Sequence, residues 1–377
     1  MITVDFLYEL LTRERVSFFT GVPDSLLKHF SAYLADNAGP ERHVIAPNEG
    51  AAVALAAGYH LAGGGIPLVY MQNSGIGNAV NPLLSLADTL VYRIPMLLLI
   101  GWRGKPGCKD EPQHAKQGLV TTALLDAMEI PYAVMPADNG GLEKTLSPLL
   151  AALDRSNAPC ALVVPPDSFA PYKPKRVPAE EETGLLSRES AIDRILRLSD
   201  PKEFYVSTTG MASRELYELR EKHRSGHERD FLTVGSMGHA SQIALGIARR
   251  RPEASVTCLD GDGALLMHMG SLAAIGTLKP PNLRHIILNN GAHDSVGGQP
   301  TVGRAIDIPA IALGCGYAGA VSAAREADLA AALGGPAPRP FLLNVLVRKG
   351  ARQDLGRPGA APEENKRAFM EALRCTR

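Results

Sequence analysis

The stretch Leu259-Asp260-Gly261-Asp262-Gly263-Ala264, followed one strand later by Asn289-Asn290, decides the fold prediction for this chain. An apolar run over 255–259 precedes it, a helical pattern over 265–277 follows it, and a second apolar run covers 284–288. Strand, helix and strand in this order predict a βαβ unit with parallel strands.

Both motifs fall where a predicted strand ends, and the carboxyl edge of an open α/β sheet is where ligands bind. Gly261 and Gly263 allow the backbone to approach an anion, and the following helix offers free N–H groups to a phosphate. The carboxylate of Asp262 and the carboxamide of Asn290 are hard oxygen ligands that suit Mg²⁺. Two unrelated turns are the alternative, because Asp-Gly and Asn-Gly are common turn dipeptides.

The same alternation runs through the whole chain and predicts an α/β protein with two doubly wound parallel-sheet domains. A proline-interrupted stretch over 165–178, followed by three glutamates at 180–182, interrupts it and predicts a linker. We therefore expect a first domain over 1–168, a linker over 169–186 and a second domain over 187–377. Strands are predicted at 17–20, 43–46, 67–72, 96–100, 132–134, 160–164, 204–207, 231–234, 255–259, 284–288 and 341–347.

Composition narrows the class of partner. The 377 residues include 39 basic and 39 acidic side chains, and this balance argues against nucleic acid or an anionic membrane as the main partner. The five cysteines are dispersed without CxxC spacing, which is typical of reduced thiols in a cytoplasmic protein. No secretion signal or membrane-spanning segment is predicted.

The Gly-Asp-Gly motif followed at this distance by Asn-Asn resembles the fingerprint of thiamine-diphosphate enzymes. These enzymes bind their cofactor between a pyrimidine domain and a diphosphate domain, both doubly wound. The resemblance implies that Asp262 and Asn290 are side-chain ligands of Mg²⁺ and that Ala292 adds its carbonyl. It also implies that Gly261, Gly263 and Ala264 lie at the diphosphate.

The resemblance further implies a glutamate that protonates N1′ of the cofactor's pyrimidine ring. Glu49 fits this role, because it follows a predicted strand and opens a helix rich in small residues. An ordinary glutamate favoured by the helix dipole is the alternative. In similar enzymes the stretch equivalent to 235–238 contacts the aminopyrimidine, which implies a role for the Gly235 carbonyl and makes Met237 the apolar prop under the cofactor. Core filling is the alternative for Met237.

Longer stretches resemble the phosphonopyruvate decarboxylase group of these enzymes, which has no central third domain. The resemblance implies decarboxylation of 3-phosphonopyruvate to phosphonoacetaldehyde and CO₂, in phosphonate natural-product biosynthesis. It also implies at least a homodimer with the cofactor at the subunit interface. Sulfopyruvate decarboxylase, or another 2-oxoacid decarboxylase, is the alternative. The stretches are 18–28, 72–75, 77–82, 101–104, 110–114, 289–301 and 355–358.

A dense anion such as phosphonopyruvate needs cations and N–H or O–H donors. The candidates for substrate binding are Ser25, Lys28, Arg103 and Lys105. For each lysine and arginine, the alternative role is that of an ordinary solvated charge on the surface.

Proton transfer is assigned to three candidates. His114 and His293 are considered because imidazoles titrate near neutrality, although a lone histidine is more often structural. Asp24 is either a catalytic acid or simply the N-cap of a helix predicted over 24–37.

One further motif points to a different cofactor. Residues 314–319 spell GxGxxG, the dinucleotide fingerprint. Asp307 and Pro309 before them predict the start of a helix, so these glycines would end a helix rather than follow a strand. The sequence therefore argues against nicotinamide binding.

Overall fold

The computed structural model describes residues 1–63, 65–175, 184–335 and 337–376, and divides into two compact units, Met1–Val177 and Pro178–Arg377. Residues 176–183, which include Pro178 and the three glutamates of the predicted linker, lie outside the described residues. Each unit contains one parallel β-sheet, as the sequence predicts.

The first unit is built on a six-stranded sheet in the order β2-β1-β3-β4-β6-β5, with every pair parallel. Its strands are β1 (Val16–Gly21), β2 (His43–Ile45), β3 (Ile66–Gln72), β4 (Leu97–Gly101), β5 (Tyr132–Val134) and β6 (Cys160–Val164). Its helices are α1 (Val4–Arg13), α2 (Lys28–Asn37), α3 (Glu49–Gly63), α4 (Ile76–Pro82), α5 (Pro112–Ala127) and α6 (Asn139–Ser156).

Alternate residues of the central strand β3 belong to two separate cores. Leu68 and Tyr70 pack in one core with α1, α2 and α6, whereas Val69 and Met71 pack in another with α3, α4 and α5. Successive side chains of a strand point to opposite faces, so a sheet covered on both faces requires this continuous apolar run.

The second unit repeats the arrangement with the strand order β14-β15-β11-β10-β8-β9, and β7 pairs with β15. Its strands are β7 (Leu186–Ser187), β8 (Phe204–Ser207), β9 (Asp230–Leu232), β10 (Val256–Gly261), β11 (Leu283–Asn289), β12 (Ala292–His293), β13 (Gln299–Pro300), β14 (Gly319–Ala323) and β15 (Phe341–Arg348). Its helices are α7 (Arg188–Leu198), α8 (Met211–His223), α9 (Ala240–Arg250), α10 (Asp262–Met267), α11 (Ser271–Leu278), α12 (Ile308–Gly314), α13 (Glu326–Leu333) and α14 (Pro362–Cys375).

The register of β10 and β11 brings the two motifs of the sequence to one edge. The strands are parallel, and Gly261 lies opposite Leu288. Asp262 and Asn290 therefore follow two neighbouring strands at the same end. None of the helices within the described ranges is long and apolar enough to cross a membrane.

Two helix predictions are wrong in detail. The helix predicted over 24–37 begins at Lys28, because Asp24 accepts hydrogen bonds from Leu26 N and Leu27 N and closes a turn instead of capping a helix. The helix predicted over 265–277 is two helices, α10 and α11, separated at residues 268–270.

The glycines of the GxGxxG motif end a helix, as the sequence predicts. Asp307 caps α12 through Ala310 N, Gly314 ends that helix, and Gly319 begins β14. The end of α12 lies close to α11, because a Cβ placed on Gly276 of α11 would overlap the Cys315 carbonyl oxygen, and a Cβ on Gly316 would lie 3.0 Å from the Gly276 carbonyl oxygen.

We predict that Gly276→Ala destabilises the fold by ~1–3 kcal/mol through this overlap. Gly246→Ala is the matched control, since Gly246 lies inside α9 with open space around its Cα, and we expect a gain of ~0.5–1 kcal/mol from helix propensity. Denaturant unfolding of both variants measures the two changes. Equal effects of the two substitutions would contradict the close approach of α11 and α12.

Candidate active site

Glu49 is the first residue of α3 and is buried, with a side chain held inside the first unit. Asn78 Nδ2 donates to Glu49 Oε2 at 2.7 Å. No ion pair to Glu49 exists among the described residues. Burial raises the pKa of Glu49, and the hydrogen bonds from Asn78 and from its own backbone N–H lower it by less. The carboxyl group is therefore disposed to hold a proton.

The segment 72–78, directly after β3, contacts three candidate residues of the first unit. A Cβ on Gly75 would overlap the Glu49 carboxyl group, so a larger residue there would displace that carboxyl group. Gln72 Nε2 donates to Asp24 Oδ1 at 2.7 Å, and Asn73 Nδ2 donates to the Arg103 carbonyl at 2.8 Å. One short segment thus positions Glu49, Asp24 and Arg103.

Asp24 is fully buried at the end of β1. Burial raises its pKa, while the hydrogen bond from Gln72 and the charge of Arg103 act in the opposite direction. Like Glu49, it is a carboxyl group that its surroundings favour in the protonated form.

Arg103 is engaged by a carboxylate rather than free. Its Nε donates to Asp110 Oδ2 at 2.8 Å, its Nη2 donates to Asp110 Oδ1, and its Nη1 donates to Ser25 Oγ at 2.7 Å. The guanidinium holds the pKa of Asp110 well below its usual range. Two of the five guanidinium N–H groups remain for another acceptor.

The remaining candidates of the first unit differ in exposure. Lys28 is exposed at the start of α2, and the Lys105 ammonium lies 5.9 Å from the centre of the Trp102 ring. His114 is buried, its Nδ1 has no hydrogen-bond partner among the described residues, and burial lowers its pKa.

Asp262 opens α10 in the second unit, with Gly261 as the N-cap residue. Thr301 Oγ1 donates to its carboxylate, and the backbone N–H groups of Asn290 and Gly263 also point at it. Burial nevertheless raises its pKa. A Cβ on Gly303 would lie 2.7 Å from the Asp262 Cβ, so the backbone at Gly303 packs directly against the Asp262 side chain.

Asn290 lies beside Asp262 at the end of β11. Its Nδ2 donates to Asp294 Oδ2 at 2.6 Å, and its Oδ1 accepts from Ala292 N at 3.0 Å. Asp262, Asn290 and Ala292 all line one cavity of about 90 Å³. A carboxylate, a carboxamide oxygen and a backbone carbonyl form a donor set that fits Mg²⁺.

His293, Met237 and Gly263 meet in the same cavity. A Cβ on Gly263 would lie 2.9 Å from His293 Cε1 and 3.5 Å from Met237 Cε, so glycine keeps this space open. Burial lowers the pKa of His293 to about 4, and the imidazole is therefore neutral near pH 7.

The turn that carries Met237 contains two residues with positive φ, Ser236 and Gly238. Ser236 has a φ of 52°, and Gly238 has a φ of 85° and packs against α10, where a Cβ would lie 2.6 Å from His268 Cδ2. Gly235 lies in this turn next to Ser236 but is not among the residues that line the cavity. Ala264, in the first turn of α10, is among them.

Several residues around the cavity were not predicted from the sequence. Thr208 and Thr209 follow β8 and precede α8, so they repeat the strand–turn–helix pattern of residues 259–265 and could have been found by it. Arg188 and Asp294 also line the cavity and form a hydrogen bond with each other. They are 106 residues apart in the sequence, so this contact could not be predicted from sequence spacing.

All five cysteines are free, as predicted, but one has neighbours that sequence spacing does not reveal. Cys258 lies opposite His285 in the β10–β11 pair, and Asp260 follows two residues later on the same face. The ligand atoms of these three buried side chains lie within 4.8 Å of one another. Asp260 also lines the cavity.

These features of the two units fit the halves of a thiamine-diphosphate site. The buried carboxyl group of Glu49 has no cationic partner among the described residues, as expected for a group that donates to a heterocyclic nitrogen. The second unit offers hard oxygen ligands beside two glycines and the start of a helix.

Comparison with known proteins gives the same assignment. Residues 1–129 match the family model described as thiamine pyrophosphate enzyme, N-terminal TPP binding domain. Residues 208–345 match the corresponding C-terminal TPP binding domain. The chain therefore belongs to the thiamine pyrophosphate enzymes.

Similarity to individual members extends over nearly the whole chain. A phosphonopyruvate decarboxylase of Streptomyces hygroscopicus is 37% identical, with 98% of this chain and 94% of the relative covered. A second, from Streptomyces viridochromogenes, is 36% identical over 95% of this chain and 92% of the relative. A sulfopyruvate decarboxylase of Methanosarcina acetivorans is 29% identical over 97% and 96%.

We predict that Glu49→Gln, measured without cofactor, stabilises the chain relative to the wild type and that the gain increases with pH. The raised pKa of Glu49 means that the folded state binds this proton more tightly than the unfolded state does. Wild-type stability therefore falls as pH rises through the folded-state pKa, whereas glutamine has no proton to lose. Thermal unfolding at about pH 5 and about pH 8 measures the change. Glu9→Gln, at an exposed position of α1, is the control, and a gain independent of pH would contradict the buried acid.

We also predict that Asp262→Ala weakens Mg²⁺-dependent binding of thiamine diphosphate roughly ten-fold or more. Asp307→Ala is the control, because it removes a carboxylate from the same unit and costs ~1 kcal/mol of helix-cap stability without touching the cavity. Calorimetric titration at fixed Mg²⁺ compares the dissociation constants. Unchanged binding in Asp262→Ala would remove Asp262 from the metal site.

Proposed function

We propose that this chain is a carboxy-lyase that uses thiamine diphosphate and Mg²⁺ to convert 3-phosphonopyruvate to phosphonoacetaldehyde and CO₂. The observation that carries the substrate assignment is the nearly full-length similarity to two phosphonopyruvate decarboxylases, at 37% and 36% identity. The sulfopyruvate decarboxylase, at 29%, gives the second candidate substrate.

The domain boundaries predicted from the sequence, 1–168 and 187–377, are retained in this proposal. We assign the pyrimidine-binding role to the first domain and the diphosphate-binding role to the second. Thiamine diphosphate, when bound, supplies the electron sink that accepts the electron pair left by the departing carboxylate. The chain's own residues bind, orient, exclude water and control protons.

Glu49 is assigned to hold a proton at its carboxyl group for the pyrimidine nitrogen. Its burial supports this role, because a carboxyl group with a raised pKa can share a proton without losing it to solvent. The Asn78 amide donates to Oε2 of Glu49, and Gly75 leaves space beside Oε1.

Asp262, Asn290 and the Ala292 carbonyl are assigned to Mg²⁺. Gly261, Gly263 and Ala264 are assigned to the diphosphate, since these residues form the start of α10 and a helix N-terminus favours an anion. Met237 is assigned to the apolar contact under the cofactor, and Gly235 to the aminopyrimidine through its carbonyl.

The neutral imidazole of His293 is assigned to proton transfer near the reacting carbon. Because its pKa is about 4, the ring is neutral near pH 7 and holds an added proton only transiently. In this neutral form one ring nitrogen donates a hydrogen bond and the other accepts one. His114 and Asp24, both buried in the first unit, are the other proton-transfer candidates.

The phosphonate group requires positive charge. We assign it to Lys28, Lys105 and the remaining N–H groups of Arg103, with Ser25 oriented by Arg103 Nη1. The charge of Arg103 is largely neutralised by Asp110, so the lysines supply the net attraction. A protonated Asp24 would add no repulsion, which fits the upward direction of its pKa.

We propose that the chain functions as a homodimer or a higher homo-oligomer. The first unit exposes large apolar side chains, namely Leu61, Leu84, Leu90, Tyr92 and Leu119, with Leu90 92% exposed. A subunit interface would cover apolar side chains of this size, which supports an oligomer. Sedimentation of the active enzyme tests the proposal, and an active monomer would contradict it.

The product of the reaction tests the function directly. We expect phosphonoacetaldehyde to form from phosphonopyruvate only when thiamine diphosphate and Mg²⁺ are both present. We also expect kcat/KM for phosphonopyruvate to exceed that for sulfopyruvate, and the opposite preference would make the second candidate the correct one. Such a product places the enzyme in phosphonate biosynthesis, where irreversible loss of CO₂ draws a preceding unfavourable step forward.

We predict that Glu49→Gln lowers kcat by roughly 10²–10⁴-fold, the range for loss of a general acid–base group. Thiamine diphosphate and Mg²⁺ should still bind, because glutamine preserves the size of the side chain and its contact with Asn78. Steady-state kinetics and calorimetry on the same preparation separate the two effects. A kcat close to that of the wild type would refute the role of Glu49.

A further inference from the structure

Asp294 occupies a central position next to the proposed metal site, although no role has been assigned to it so far. Three donors converge on its Oδ2 atom: Asn290 Nδ2 at 2.6 Å, Arg188 Nη1 at 2.9 Å and Gly350 N at 3.0 Å. The side chain of Asp294 is 12% exposed. It therefore links the end of β11, the start of α7 and the segment that follows β15.

The hydrogen bond between Asp294 and Asn290 fixes the orientation of the Asn290 side-chain amide. An ionised carboxylate only accepts hydrogen bonds, so the Asn290 NH₂ group must face Asp294. The Asn290 oxygen then points the other way, where it accepts from Ala292 N at 3.0 Å and keeps a second lone pair. Mg²⁺ binds oxygen rather than an amide NH₂ group, and this orientation leaves Asn290 Oδ1 available as the ligand.

Asp294 is itself held by a buried arginine. Arg188 Nε and Nη2 donate to the two carboxylate oxygens of Glu215, at 2.7 and 3.1 Å, and its Nη1 donates to Asp294. The side chains of Arg188 and Glu215 are 7% and 2% exposed. The planar guanidinium fixes both carboxylates at once, since its donors have a fixed geometry.

We propose that Asp294, held by Arg188 Nη1, is a positioning residue that orients the Asn290 carboxamide for Mg²⁺. The inference rests on the proposed function, because it takes Asn290 as a metal ligand. Groups of this kind behind a metal ligand commonly change metal affinity 10–100-fold when they are removed.

The test uses Asp294→Asn in the full chain at saturating thiamine diphosphate. We expect the dissociation constant of Mg²⁺, measured by calorimetry, and that of Mn²⁺, measured by electron paramagnetic resonance, to rise roughly 10–100-fold. The physical reason is that an amide oxygen at 294 carries no full negative charge, so the hydrogen bond that holds the Asn290 NH₂ group in its orientation becomes weaker.

Glu215→Gln is the matched control, because it weakens the same buried cluster without contacting Asn290. We expect it to lower the melting temperature at least as much as Asp294→Asn, with a change in Mg²⁺ affinity below about three-fold, since loss of a charge from a buried pair acts mainly on folding. Equal loss of affinity in the two variants would show that Asp294 is merely structural and would overturn the proposal. An unchanged dissociation constant in Asp294→Asn would also overturn it.

The measurements separate this inference from the proposed reaction. A wild-type enzyme that binds Mg²⁺ but forms no aldehyde would refute the decarboxylase proposal. The Mg²⁺ affinities of Asp294→Asn and Glu215→Gln would still decide whether Asp294 positions Asn290. A wild-type enzyme that binds no Mg²⁺ would overturn the positioning role, whatever product it forms.

Discussion

Glu49 and Asp262 are buried carboxyl groups with no ion pair among the described residues, and they are the constraint around which each unit is arranged. Each lies at the carboxyl edge of its parallel sheet, and burial acts against its charge. The neighbouring glycines, Gly75 and Gly303, provide space that any side chain would fill. The sheets, their two covered faces and the short turns after the strands serve to hold these two groups in place.

Other buried carboxylates show the opposite arrangement. Asp230 receives two hydrogen bonds from Arg220, and Glu215 receives two from Arg188. In these pairs the charge is compensated inside the protein, so nothing further is needed. The contrast with these pairs supports the roles proposed for Glu49 and Asp262.

Much of this could be predicted from the sequence, and what was missed has physical causes. The predicted strands over 160–164 and 204–207 agree with the structure residue for residue, because buried parallel strands are continuous apolar runs. The predicted strand over 132–134 also agrees, although it is a partly exposed strand at the edge of its sheet. The amphipathic helix α1 was missed although Val4, Leu7 and Leu11 give its apolar stripe. The Arg188–Asp294 pair could not have been predicted, since only folding brings together residues so distant in sequence. The roles assigned to individual site residues stay predictions.

The metal role proposed for Asp262 also has a consequence for the lifetime of the protein in a cell. A cation and a cofactor that bind only the folded chain stabilise it by mass action, and the gain increases with their concentration relative to the dissociation constant. The form that lacks metal and cofactor is then the form that unfolds and is degraded first. The abundance of this enzyme should therefore follow the supply of thiamine, independently of how much of the protein is synthesised.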